Sequence, residues 1–379
     1  MKSLYLVSAL FVFLSGTART QTTVSGSFEH GGITRSYSFY VPASYTPGEP
    51  VPLVLNLHGL GTDGAYQAQY RDFRPIADTA GFIVVHPDGS TLFGQRFWNY
   101  GNVFGSTVDD VGFLETLIDT IAAGYAINPQ RIYAAGMSNG SFMCYYLACR
   151  SDRFAAIGAV TGSMSADMYD ACAPDHPVPV IHVHGTDDSV NPYEGTSTMQ
   201  GIADVIGFWV EQNGCDTVPV ISSLPDINTP DNATATRYVY SGGTNGNTVE
   251  LFKVTGGGHS WPGSPVPGSS ENTCMDFDAC IELWRFFSRN EPGGTTSIAE
   301  QNPPEPDIWP NPASGIVHVR ANGGHTITGI SIRDMQGRLV EQQTDAAIQS
   351  LDVRHLETGN YVVTLSGDGF SVPKKLSIL

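Results

Sequence analysis

The sequence predicts an α/β domain built on a mostly parallel sheet, followed by a small all-β domain. Three observations carry this reading. Apolar runs of strand length alternate with amphipathic segments from Val51 to Phe287. A polar stretch rich in Pro and Gly, without periodicity, follows Phe287. Beyond it, residues 315–379 alternate with period two and lack long helical patterns, which reads as a small sandwich.

In chain order, residues 21–42 alternate around Gly31-Gly32 and predict an N-terminal hairpin. "VPLVLNLHG" predicts the first central strand, Ala65 to Ala80 a helix, and "GFIVVHPDG" the next strand. A helix is expected from about Asp109 to Tyr125, with Val111, Leu114, Leu117, Ile118 and Ile121 on one face. "RIYAAG" then predicts a strand, Ser141 to Ala148 a helix, and "FAAIGAV" and "PVPVIHVHG" two more strands. A helix near Ile202 to Val210, the strand "NTVELFKVTGG" and the helix "DFDACIELWRFF" complete the pattern. The expected organisation is a leader at 1–20, an α/β domain at 21–288, a linker at 289–306 and a β domain at 307–379.

The chain has 379 residues, more than one ordinary core accommodates. With 19 Lys+Arg against 37 Asp+Glu the net charge is −18, which argues against a nucleic-acid partner. The start, MKSLYLVSALFVFLSGTARTQ, pairs Lys2 with an apolar run from Leu4 to Leu14 and then small residues, the pattern of a secretory signal peptide. The run is shorter than the ~20 residues that span a bilayer, and no later stretch approaches that length, so the mature chain is expected to carry no transmembrane segment. Export permits disulfides among Cys144, Cys149, Cys172, Cys215, Cys274 and Cys280. Spacing alone does not choose among their pairings, and no CxxC pair suggests zinc.

The chemistry concentrates in "GMSNG", residues 136–140, where a strand hands over to a helix. Gly-x-Ser-x-Gly in that context predicts a sharp turn that lifts the Ser138 hydroxyl clear of the sheet, with glycines where side chains would clash. A serine hydroxyl needs a base, and a base needs an orienting acid. Of ten histidines, His259 lies in the glycine-rich loop "GGGHSWPG" after the last predicted strand and is the expected base. The acid is expected in "HGTDDSVNPY", where Asp188 is preferred and Asp187 remains the alternative. Two N–H donors should hold the oxyanion: that of Asn139, next after the serine, and that of Leu60 in "LNLHGLG", with His58 supporting the loop. Trp98 and Trp261 are candidate substrate contacts. His182 and His184, with Asp187 and Asp188 nearby, form a rival metal reading without further ligand spacing, and neither metal nor cofactor is expected.

With these residues in place, residues 22–287 resemble the secreted esterases that include polyhydroxybutyrate depolymerase-like proteins and the feruloyl and acetylxylan esterases of carbohydrate esterase family one. The matching segments are "LHG" at 57–59, "VDDVGF" at 108–113, "GMSNG" at 136–140, "HGTDDSVNPY" at 184–193 and "GGGHSWPG" at 256–263. The resemblance implies an α/β-hydrolase fold, a Ser138–Asp188–His259 triad acting through an acyl-enzyme, and an ester of a plant cell-wall polysaccharide as substrate, with a short-chain polyester as the alternative. It also implies a Cys149–Cys172 disulfide. The family often carries a partner for Cys215 before the histidine loop, and this chain has none there. Residues 307–379, with "IWPNPASGIVHV", "IRDMQGRLV" and "LETGNYVVTL", resemble the sorting domain of type IX secretion. That implies a secreted or cell-surface protein with the type IX machinery as partner. A surface binding protein that keeps the fold without turnover is the reading from another class, and a peptidase or acyltransferase on the same triad is a third.

Overall fold

The structure is a computed structural model that describes residues 21–264, 271–290, 306–321, 325–334, 338–367 and 370–379. The segment 1–20, read as a signal peptide, and residues 291–305 of the expected linker lie outside the described residues. The chain opens with a hairpin, β1 (Thr22–His30) and β2 (Ile33–Val41), turned by Gly31 and Gly32 at φ 59° and 75°. There follow β3 (Val51–Leu57), α1 (Gly64–Tyr70), α2 (Arg74–Ala80), β4 (Ile83–Pro87) and a short hairpin of β5 (Ser90–Leu92) and β6 (Gln95–Phe97). Next come α3 (Asp110–Ala122), β7 (Ile127–Met137), α4 (Asn139–Arg150), β8 (Ala156–Val160), α5 (Ala166–Ala171) and β9 (Val180–Gly185). The segment closes with α6 (Ile202–Gln212), β10 (Val220–Ser223), β11 (Thr234–Tyr240), β12 (Val249–Thr255) and α7 (Ala279–Phe287).

Among the described residues the main sheet runs β1-β2-β4-β3-β7-β8-β9-β12-β11-β10. Its middle, from β4 to β12, is parallel throughout, and antiparallel pairs flank it at both edges. This is the α/β-hydrolase arrangement. Strand side chains alternate between two apolar layers because the pleat sends neighbours to opposite faces. Leu53, Leu55 and Leu57 join Phe113, Leu117 and Trp209 on one face, while Val54 joins Tyr70, Ala77 and Leu283 on the other.

The single helix expected over 65–80 is two helices. Pro75 has no N–H to give the Arg71 carbonyl, and that carbonyl instead accepts from Asn56 Nδ2 at 3.0 Å. Arg71 leaves the helical region at φ −132° and ψ 68°. The edge strand β10, its neighbour β11 and the β5–β6 hairpin are not predicted by the sequence pattern. Cys149 and Cys172 form the implied disulfide, tying the end of α4 to the end of α5. Cys144, Cys215, Cys274 and Cys280 are buried free thiols.

Beyond residue 306 the strands are β13 (Asp307–Trp309), β14 (Ile316–Arg320), β15 (Ile327–Asp334), β16 (Leu339–Thr344), β17 (Ser350–Asp352), β18 (Gly359–Gly367) and β19 (Phe370–Ile378). Among the described residues they form two antiparallel sheets, β13-β14-β17 and β16-β15-β18-β19. Val317, Val319 and Leu351 of the first sheet share one apolar cluster with Ile330, Ile332, Val363 and Leu365 of the second.

Candidate active site

Ser138 sits between β7 and α4 at φ 55° and ψ −119°, a region costly for any residue with a Cβ. The surrounding structure leaves it no alternative. Its N–H donates to Val160 O at 2.9 Å, and its carbonyl accepts from Ser141 N and Phe142 N at 2.9 and 3.1 Å, starting the helix. Both flanking glycines are sterically required. A Cβ on Gly136 would lie 2.4 Å from Gly140 O, and one on Gly140 would lie 2.4 Å from Leu57 O. The motif therefore records how tightly β3, β7 and α4 converge, with a half-buried serine at the point of convergence.

Asn139 and Leu60 flank this point. Asn139 opens α4, so its N–H belongs to the first turn, where helical carbonyl partners are missing. Its side chain is locked: Oδ1 accepts from Trp98 N at 2.6 Å and Nδ2 donates to Trp98 O at 3.1 Å. Leu60 follows Gly59, where a Cβ would stand 3.6 Å from that of Ser138. His58 braces this loop. Its Nε2 accepts from Gly89 N at 2.9 Å, so the ring proton is on Nδ1, which donates to Gly59 O at 2.7 Å. Burial pulls its pKa down to about 4 and keeps it neutral.

Asp188 and His259 come from two separate loops and meet. Asp188 Oδ2 accepts from His259 Nδ1 at 2.9 Å, and Asp188 Oδ1 accepts from the backbone N–H of Val190 and Asn191 at 2.9 and 2.8 Å. Asp188 is buried, whereas Asp187 is exposed and bonded to its neighbour Thr186 at 2.8 Å. The glycines of both loops permit this approach: a Cβ on Gly185 would lie 2.1 Å from Gly257 O. Sequence reasoning missed Glu271. It accepts from the His259 N–H and from the Ser189 hydroxyl, so one carboxylate holds the His259 loop and the Asp188 loop together.

The two histidines of the metal reading are engaged with each other. Tyr145 Oη lies 2.7 Å from His182 Nδ1, His182 Nε2 lies 3.0 Å from His184 Nδ1, and His184 Nε2 lies 2.8 Å from Asn191 O and 3.4 Å from Asp188 Oδ2. Burial drives the pKa of both rings down. Among the described residues no group of three or more His, Cys, Asp or Glu is placed to hold a metal ion.

Trp98 and Trp261 require correction as substrate contacts. They are 0% and 1% exposed. The Trp98 indole donates to His58 O at 3.0 Å while its backbone clamps Asn139, so it joins the His58–Leu60 loop to the start of α4. Asp110, of the "VDDVGF" segment, extends this support: it pairs with Arg35 at 2.6 Å and accepts from Asn99 N at 2.7 Å. Trp261 is buried in the second apolar layer, edge-on to Phe73 and 5.0 Å from the buried Arg71 guanidinium.

Residues 35–176 match the family model described as Esterase PHB depolymerase, and residues 307–379 match the Secretion system C-terminal sorting domain. The chain is 26% identical over 279 residues to a bifunctional acetylxylan esterase/xylanase of Neocallimastix patriciarum, covering 73% of this chain and 36% of that protein. It is 29% identical over 231 residues to feruloyl esterase B of Piromyces equi, covering 58% and 41%. It is 33% identical over 161 residues to a poly(3-hydroxybutyrate) depolymerase of Ralstonia pickettii, covering 39% and 33%. The chain thus spans about two-fifths of the length of the first two relatives. Both resemblances noted in the sequence are borne out.

Proposed function

We propose that this chain is an exported serine carboxylic-ester hydrolase acting on esters of plant cell-wall polysaccharides. The observation that carries the reading is the 2.9 Å contact between Asp188 and His259 from separate loops, beside a serine held in a strained strand-to-helix turn. Because Asp188 can only accept, His259 carries its proton on Nδ1 and leaves Nε2 basic. In the reaction, Nε2 takes the Ser138 hydroxyl proton as Oγ bonds to the ester carbonyl carbon. The N–H groups of Leu60 and Asn139 receive the charge that forms on the carbonyl oxygen. Collapse breaks the bond to the alcohol oxygen, which leaves with the proton from His259 as the acyl-enzyme forms. Water then repeats the sequence, releasing the acid and restoring Ser138.

A polyester depolymerase on the same residues is the second reading, favoured by the family model over residues 35–176. Sorting by residues 307–379 through the type IX machinery is supported by the second family model, and the export reading adds a leader at 1–20, which rests on the sequence pattern of that segment. The test of the catalytic reading is turnover of 4-nitrophenyl acetate together with labelling by a fluorophosphonate. Wild type should turn over and label at Ser138, and Ser138→Ala should do neither while unfolding at nearly the same temperature. Substantial turnover by Ser138→Ala would remove the serine mechanism, and a wild type that neither labels nor hydrolyses would favour a binding protein.

A further inference from the structure

The short β5–β6 hairpin places a phenylalanine where its turn least favours one. Leu92 pairs with Gln95, so Phe93 and Gly94 are the two turn residues, at φ 52° and 77°. A two-residue turn with both φ values positive is the type that selects Asn-Gly. Phe93 nonetheless occupies the first position, and the residue is 86% exposed, so burial does not offset the strain. Phe104 repeats the pattern in the next loop, at φ 52° and 65% exposed. Of the five other non-glycine residues at positive φ, three are asparagines, which tolerate it, and the remaining two are Ser138 and Thr161, neither of them as exposed as the two phenylalanines.

The two strained rings face one feature. With Leu60, Leu92, Phe97 and Gln95 they line an open cavity of about 160 Å³ whose surface is almost wholly apolar. The cavity adjoins the candidate active site through one residue, since Leu60 is part of its lining and also carries the N–H assigned to the oxyanion. The hairpin is fastened to that loop: Gly61 N donates to Arg96 O at 2.8 Å, and Gly89 N donates to His58 Nε2 at 2.9 Å. Backbone strain held by surrounding structure beside reacting groups points toward function.

We propose that Phe93 and Phe104 form a binding site for a ring-sized apolar acyl group, making them the residues that select aryl-acyl esters over acetyl esters. The proposal rests on the hydrolase reading of Ser138. Two arguments set the occupant. A cavity near 150 Å³ admits a molecule the size of benzene, so this one suits a single ring and not a length of polymer, whereas an acetyl group would leave it unfilled. The alcohol departs after the first step, but the acyl group stays through both. A site braced to the oxyanion loop suits the group that must remain oriented until water attacks.

The test compares kcat/KM for methyl cinnamate and methyl acetate, followed by acid release, in the full chain and in Phe93→Asn, Phe104→Ala and their combination. Phe93→Asn restores the favoured turn sequence, so it should unfold no earlier than wild type, which separates loss of the site from loss of the fold. The cinnamate-to-acetate ratio should fall roughly tenfold with each substitution, the range that one lost apolar contact supports. An unchanged ratio in the combined variant, with wild type active on both esters, would overturn the site and leave the hydrolase reading intact. Inactivity of wild type on both esters and on 4-nitrophenyl acetate would instead overturn the hydrolase reading. Loss confined to an insoluble polyester film, with the soluble ratio unchanged, would assign the rings to surface adsorption and refute the acyl site.

Discussion

Replacing Asp188 by asparagine should cost about four orders of magnitude in turnover, and the structure supplies the reason. The two carboxylate oxygens of Asp188 do different work. Oδ1 accepts two backbone N–H groups, from Val190 and Asn191, at 2.9 and 2.8 Å. Oδ2 accepts from His259 Nδ1 at 2.9 Å, with the His184 ring at 3.4 Å. An asparagine must keep its oxygen toward the two backbone donors, because turning its NH₂ there would leave buried donors facing each other. Its NH₂ is then directed at His259 Nδ1. The imidazole can accept that bond only by moving its own proton to Nε2, the nitrogen that receives the Ser138 proton in the mechanism we propose. A wrong tautomer of this kind costs on the order of 10⁴ in kcat in a serine hydrolase. The exposed Asp187→Asn is the control and should stay within about twofold, as surface substitutions do. The assay is 4-nitrophenyl acetate turnover at pH 7 with thermal unfolding of each variant. A folded Asp188→Asn enzyme within tenfold of wild type would refute the tautomer argument, and an inactive Asp187→Asn would move the acid by one residue.

Stability should fall as pH drops from about 6.5 to about 4. His58 and His86 are buried and neutral, with pKa values pulled down to about 4 by loss of solvent. The unfolded chain takes these protons near pH 6.5, so it binds more protons across that window, and each ring withdraws roughly 3 kcal/mol by pH 4. Asp278, pushed up to about 6 by burial, works the other way and offsets part of this, because the folded chain holds its proton longer. A melting temperature that is flat between these pH values would contradict the assignment of both histidines as buried and neutral. Ending the chain at Asn290 should leave soluble-ester turnover and the unfolding temperature of the α/β segment nearly unchanged, since the sheets beyond residue 306 have their own apolar cluster. In the native host the same truncation should trap the enzyme in the periplasm. Normal export together with selective loss of polymer hydrolysis would make residues 307–379 a substrate-binding module.

What was legible in the sequence was whatever steric demand writes into residue type. Gly136 and Gly140 are glycines because backbone carbonyls occupy the space of a Cβ, so the Ser138 turn is readable without coordinates. The alternation of Leu53, Val54 and Leu55 between two apolar layers is likewise a direct record of the pleat. Asp188 is preferred over Asp187 in the sequence and the family pattern supports that choice, but two adjacent carboxylates look alike until burial distinguishes them. Trp98 and Trp261 were misread because an indole near the site suits either a wet cleft or a dry support, and residue type does not say which. Glu271 was missed because its role depends on two loops meeting, which neither loop encodes. Phe93 and Phe104 were missed for a sharper reason: their backbone contradicts the propensity of phenylalanine, so local rules point away from the turns they occupy.

The buried rings behind the acid show how direction is imposed on this site. Asn191 O can only accept, so His184 donates from Nε2, and its Nδ1 must accept because burial keeps the ring neutral. His182 then donates from Nε2 to His184, which leaves His182 Nδ1 to accept from the Tyr145 hydroxyl. Every proton in the chain is fixed from one end, and every donor points toward the Asp188 loop. The last N–H reaches the carboxylate side of that loop, 3.4 Å from Oδ2. With the two backbone donors on Oδ1 and His259 on Oδ2, both carboxylate oxygens of the buried Asp188 are hydrogen-bonded. His182 and His184 therefore act as oriented dipoles, and a histidine two residues from another on one strand is accounted for without a metal ion.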